Sequence, residues 1–211
     1  MNAARPPHFR ASPARNAYTL LELLAVMAIM ALLLALILPS MAGINESNNI
    51  VRGGQLFADQ VGLARQVASS RNISVEVRCI NIPIRSKYGY SAIQLWSPGG
   101  AASTPVSRLL TLPDGIAISQ DTTTLSTLFA SYVLNGTMPL GSPVSGDAYV
   151  SFTINPSGMV GPLATTGTTP NMTALNVGVV PARFAQQTTL PVNYMLVQLN
   201  PVTAATLNYR P

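Results

Sequence analysis

The sequence predicts an α+β protein: a long N-terminal membrane-spanning helix that continues into an amphipathic helix, packed on a β-sheet-rich globular head. Three observations predict it. Tyr18 to Leu38 is an apolar run in which 19 of 21 residues are apolar. Apolar residues then recur with a helical period up to about residue 72. After Asn72 the period changes to two, and short apolar runs alternate with Gly, Pro and Asn turn signals.

Residues 1–17 carry Arg5, Arg10 and Arg15 and no acid, and Pro6, Pro7 and Pro13 discourage a helix there. The apolar run that follows, YTLLELLAVMAIMALLLALIL, spans about 30 Å as a helix, the thickness of a bilayer core. Its polar residues are Thr19 and Glu22, and Pro39 closes it. Three arginines precede the span and the next basic residue is Arg52, so the positive-inside bias puts the N-terminus in the cytoplasm and the rest outside. From residue 50 to 71, Phe57, Val61, Ala64 and Ala68 form one apolar stripe. Gly53 and Gly54 weaken the start of this helix, and Asn72 is its predicted stop.

Ser74–Cys79 alternates, with Val75, Val77 and Cys79 on one face; Ile80 and Ile82 fall on the other, which predicts a bulge or strand end. Further strands are predicted at Tyr90–Trp96, Arg108–Leu112, Ile116–Ser119, Tyr149–Ile154 and Tyr194–Leu199. The Ser-, Thr-, Gly- and Pro-rich stretches 120–147 and 161–176 read as long surface loops. The domain division is therefore 1–17, 18–38, 39–72 and a head over 73–211.

Composition narrows the chemistry. Only 9% of the 211 residues are charged, and the chain has one His and one Cys. A Cys/His zinc centre lacks ligands, and one Cys makes no internal disulfide. Asp114, Asp121 and Asp147 stand in separate loops, too few for a Ca²⁺ cage. Cys79 reads as a buried small apolar residue. No catalytic residue, cofactor or metal is expected, and the chain does not read as an enzyme. The net charge of +5 also needs locating: residues 1–17 hold three of the twelve basic residues, leaving nine against seven acids. Those nine are spread thinly, so nucleic acid is not an expected partner.

Glu22 is the informative residue, because sixteen apolar residues follow it without a break. An acid within a membrane segment is costly and marks function by default. Its plain alternative is a capping box, Thr19-x-x-Glu22, satisfying a helix N-terminus. The whole segment has two plain alternatives as well: a simple single-pass anchor, or a secretory signal cut after Ser40-Met41-Ala42.

Ala17-Tyr18-Thr19-Leu20-Leu21-Glu22-Leu23-Leu24, with the apolar run and Pro39, resembles the prepilin-type processing and methylation segment of type IV pilins and type II secretion pseudopilins. The resemblance implies a basic leader cut by prepilin peptidase between Ala17 and Tyr18, with Ala17 where the family usually has Gly. It implies N-methylation of Tyr18, a Glu22 carboxylate that neutralises a neighbouring subunit's terminal amine, and a helix-kinking Pro39. Leu56–Val77 is similar to the region of GspH/FimT-type minor pseudopilins where a helix enters the first strand. Leu112–Ile116 and Phe152–Gly158 resemble later turns of those heads, and the Tyr-Arg-Pro end resembles the Verru_Chthon cassette D proteins. The implied partners are other pilin or pseudopilin subunits, prepilin peptidase and inner-membrane lipid. The implied location is the inner membrane with an extracytoplasmic head, then a filament. A FimT-like DNA-binding minor pilin is the alternative within this family.

Overall fold

Thr19 starts the first helix. Its Oγ1 accepts the Glu22 backbone N–H at 3.2 Å, satisfying one of the free amides that every helix start leaves. From there α1 runs over Leu20–Arg71. The computed structural model describes residues 18–98, 103–131, 134–161 and 175–210, without the side chains of 37–42, 44 and 131. The chain divides into two compact units, residues 1–42 and 43–211.

In the first unit every described side chain from Tyr18 to Leu36 is exposed, including Leu20, Leu24, Met27 and Leu36. Apolar surface of this kind is costly to leave in water. Among the described residues no helix is long and apolar enough to cross a membrane; the side chains of the apolar run are described as far as Leu36, and those of residues 37 and 38 lie outside the described ones.

In the second unit the rest of α1 is a core element. Ile50, Phe57, Val61, Ala64 and Ala68 are all fully buried on one stripe. The helix ends where the sequence predicts. Asn72 takes φ 52°, a left-handed turn that Asn tolerates, and the Ile73 N–H donates to the Ala68 carbonyl at 3.2 Å.

The strands follow in order: β1 Val75–Ile80, β2 Ala92–Ser97, β3 Thr104–Pro105, β4 Leu110–Thr111 and β5 Ile116–Ile118, then the short helix α2 Leu128–Ser131. After it come β6 Leu134–Thr137, β7 Ala148–Ile154, β8 Val160–Gly161, β9 Leu175–Pro181, a 3₁₀ turn Ala182–Phe184, β10 Met195–Leu199 and β11 Thr206–Tyr209. All pairings are antiparallel. One sheet has the order β3-β2-β1-β7-β6, with β4 also on β2 and β8 on β7; the other has the order β11-β10-β9-β5. The helix stripe, the inner residues of the first sheet (Val75, Val77, Cys79, Phe152) and those of the second (Val177, Val179, Val197) form one core. Phe57 and Phe152 meet with ring centroids 6.4 Å apart.

Gly53 and Gly54 explain how closely the helix and the second sheet approach. A Cβ at Gly54 would lie 2.3 Å from Met195 Sδ, and one at Gly53 would lie 3.1 Å from Val179 Cγ1. The glycines cost helix propensity but open the space that β9 and β10 fill.

Several expectations are corrected. Residues 120–147 are not simply surface loop: Leu125, Leu128, Phe129 and Met138 are buried, and β6 lies there. Residue 175 begins β9, an almost wholly buried strand with both its flanks paired, to β10 and to β5. Gly178 in its middle lets Leu125 lie 2.7 Å from where a Cβ would stand. Of the bulge or strand end expected near Ile80, the structure shows the strand end: β1 pairs in unbroken register through Ile80 with both β2 and β7.

Candidate functional site

The N-terminal segment comes first. Tyr18 stands immediately before the cap residue with 81% of its surface exposed. Glu22 lies in the first turn of α1, exposed, where the helix dipole favours a negative charge. The two are four positions apart, about one turn. The backbone half of the capping box is therefore formed, with Thr19 as the acceptor. Among the described residues, no basic side chain pairs with Glu22. Ala17 lies outside the described residues. Position 39 falls inside α1, which continues through the proline, and the Pro39 side chain is not described.

The head contains a polar arrangement that the sequence reading passed over. Glu76 and Arg78 point to the outer face of β1, both buried, with Arg78 Nη2 2.7 Å from Glu76 Oε2. The guanidinium lies 4.3 Å from the Trp96 ring centroid and 4.4 Å from that of Tyr149, a cation held between two aromatic faces. Ser103 Oγ accepts a further bond from Nη2 at 3.3 Å, and Trp96 Nε1 donates to Gln94 Oε1 at 3.1 Å. Among the described residues Arg78 Nε has no partner. The signal was visible: two opposite charges at i and i+2 share one strand face, while the intervening residues are apolar. A shallow cavity of about 290 Å³, lined by Gln94, Trp96, Ser103 and Pro139, lies beside this cluster. Another of about 340 Å³ lies at the β10–β11 hairpin, against Asn200 and Leu207.

Cys79 is fully buried on the inner face of β1, and burial pushes its thiol well above the ordinary range, which keeps it protonated and unreactive. Among the described residues no group of three or more His, Cys, Asp and Glu side chains could hold a metal ion.

With this geometry in place, comparison with known proteins bears on the N-terminal segment. Residues 13–38 match the prokaryotic N-terminal methylation motif. No curated protein matches the chain. A solved structure, the minor pseudopilin EpsH from the type 2 secretion system of Vibrio cholerae, is similar in fold at 12% identity and a TM-score of 0.41, covering 77% of this chain and 96% of that one. The matched motif includes Ala17, Tyr18 and Glu22 and ends one residue before Pro39.

Proposed function

We propose that this chain is a minor pilin-like (pseudopilin) subunit of a type II secretion or type IV pilus-like filament. The observation that carries the reading is the methylation motif over residues 13–38. The exposed apolar surface from Leu20 to Leu36 supports it, because that surface needs lipid or neighbouring helices to cover it. Residues 18–38 anchor the precursor in the inner membrane, with the basic leader on the cytoplasmic side and the head extracytoplasmic. Prepilin peptidase cuts between Ala17 and Tyr18, and Tyr18 is N-methylated. In the filament the Leu23–Leu38 segments of neighbouring subunits bundle through apolar contacts. Glu22 pairs with a neighbour's terminal amine and so sets the axial register; in a low-dielectric bundle such a pair is strong when made and costly when half is missing. Position 39 then serves as the proline that bends the helix.

The mass and N-terminal sequence of the mature protein test the reading. N-methyl-Tyr18 as the first residue is the expected result. A start at Gly43 would make the chain a secreted protein, and an intact Met1 would make it a plain anchor.

A further inference from the structure

The basic residues of the head are scattered in sequence, but the fold gathers most of them at one end. The chain joins the head at Gly43, and the first helical turns after it collect distant segments. Glu46 accepts a bidentate pair from Arg183 at 2.7 and 2.9 Å. Ser47 bonds Arg210, which also reaches Asn193 Oδ1 at 3.3 Å. Asn49 Nδ2 donates to the Asp114 carbonyl at 3.4 Å, and the Asp114 carboxylate pairs with Arg85. Lys87 follows two residues later, exposed, and Arg52 stands exposed on the same stretch of helix.

Charge and hydropathy both single out this end. Arg52, Arg85, Lys87, Arg183 and Arg210 stand against Glu46 and Asp114, a net +3, while the rest of residues 18–211 carries four basic and five acidic residues, a net −1. Both acids there are already paired to arginines. The loops that hold these arginines also present apolar side chains straight to solvent. Ile84, beside Arg85, is 99% exposed; Val192, beside Asn193, is fully exposed; Leu190 is 53% exposed. Cations interleaved with protruding apolar side chains are the composition of a surface that rests in a lipid interface.

We propose that this end of the head docks on an anionic phospholipid bilayer, with Ile84 and Val192 reaching the headgroup–acyl boundary and Lys87 and Arg210 contacting headgroup phosphates. The inference rests on the reading of residues 18–38 as the membrane anchor, since that anchor holds the Gly43 end of the head near a bilayer. Salt weakens the docking, because the exposed cations act through a screened field. Leaving the membrane for a filament would then require breaking this contact.

The test uses the full processed chain in nanodiscs that contain a lipid-borne quencher, with one fluorescent label at a time. Buried Cys79 does not compete for the label. Labels go on Val192→Cys, on Leu33→Cys as the anchor control, and on Ser157→Cys as the distal control. Ser157 neighbours Gly158, whose Cβ position lies 3.6 Å from Arg65 Nε, and Arg65 is about 28 Å along the helix from Glu46. Quenching at 192 in phosphatidylglycerol discs, absent in phosphatidylcholine discs and absent at 157, is the expected result. Lys87→Glu with Arg210→Glu reduces it roughly fivefold or more. Quenching at 33 without quenching at 192 overturns the docking and leaves the anchor standing. No quenching at 33 overturns the anchor itself, and the docking with it. Quenching at 192 that ignores both lipid charge and the double substitution, or that duplex DNA abolishes in favour of its own binding, overturns the anionic-lipid assignment.

Discussion

Replacing Gly54 with Ala tests how the helix is seated on the second sheet. In an open helical position Gly→Ala gains about 1 kcal/mol from backbone entropy. At position 54 the new methyl would stand 2.3 Å from Met195 Sδ and 2.9 Å from its Cε. Met195 is only 5% exposed, so its side chain must find another rotamer within a packed core. Overpacking of that kind costs about 1–3 kcal/mol. The net expectation is a loss near 1 kcal/mol, which lowers Tm by about 2–4 °C for a chain of this size. Gly62 supplies the internal reference. It lies in the same helix, exposed, with nothing within 4 Å of its Cβ position, so Gly62→Ala raises stability by about 1 kcal/mol. Thermal unfolding followed by near-UV circular dichroism reads both variants. Met195→Ala in the Gly54→Ala background removes the clash but leaves its own cavity, so the two substitutions destabilise by less than their sum. Equal stability of Gly54→Ala and Gly62→Ala would refute the close approach of α1 to β10.

Glu22→Ala is expected to leave insertion and cleavage intact but to exclude the subunit from filaments, checked by mass of the mature chain and by co-purification with sheared filaments; normal incorporation would remove Glu22 from the register role. Glu76→Gln leaves the Arg78 charge buried between Trp96 and Tyr149 without its counter-ion and destabilises the head by about 3–5 kcal/mol. The double change Glu76→Leu with Arg78→Leu costs much less, and denaturant unfolding of both decides it. For Asp121, burial pushes the carboxyl up, but hydrogen bonds from the Thr123 and Thr124 side chains and from the Thr123 and Leu125 backbone outweigh it and hold it down, from 3.8 to about 2. A folded pKa below the unfolded one stabilises at higher pH, and that contribution is lost as the pH falls from near 3.8 through about 2. Asp121→Asn flattens the stability profile over that window; an unchanged slope would show that the turn contributes nothing to acid lability.

The parts of this protein legible in the sequence are those governed by local rules. The cap at Thr19, the stripe from Phe57 to Ala68 and the stop at Asn72 each follow from spacing within a few residues. So does the alternation of β1, where opposite faces meet different neighbours. Some strands escaped for identifiable reasons. β3 and β8 are two residues each, too short to show a period at all. β9 fails for the opposite reason: it is buried on both faces, so Leu-Asn-Val-Gly-Val-Val-Pro shows no alternation, and Gly178 reads locally as a breaker although Leu125 requires it.

The N-terminal methylation motif was legible in the sequence alone. The arginines before Tyr18, a small residue next to it, an acid at position 22 and the apolar run that follows are one-dimensional signals; in the proposed function a peptidase and a bilayer read them before any head exists. The tertiary structure decided what no spacing could. It placed Gly53 and Gly54 under β9 and β10, set the guanidinium of the Glu76-paired Arg78 against two aromatic rings, and drew Arg85, Arg183 and Arg210 from distant loops to the helix turn at Glu46–Asn49. The physical reason is the same in each case. These arrangements depend on segments dozens of residues apart being brought together by burial of one shared core, and burial acts on surfaces that exist only after folding.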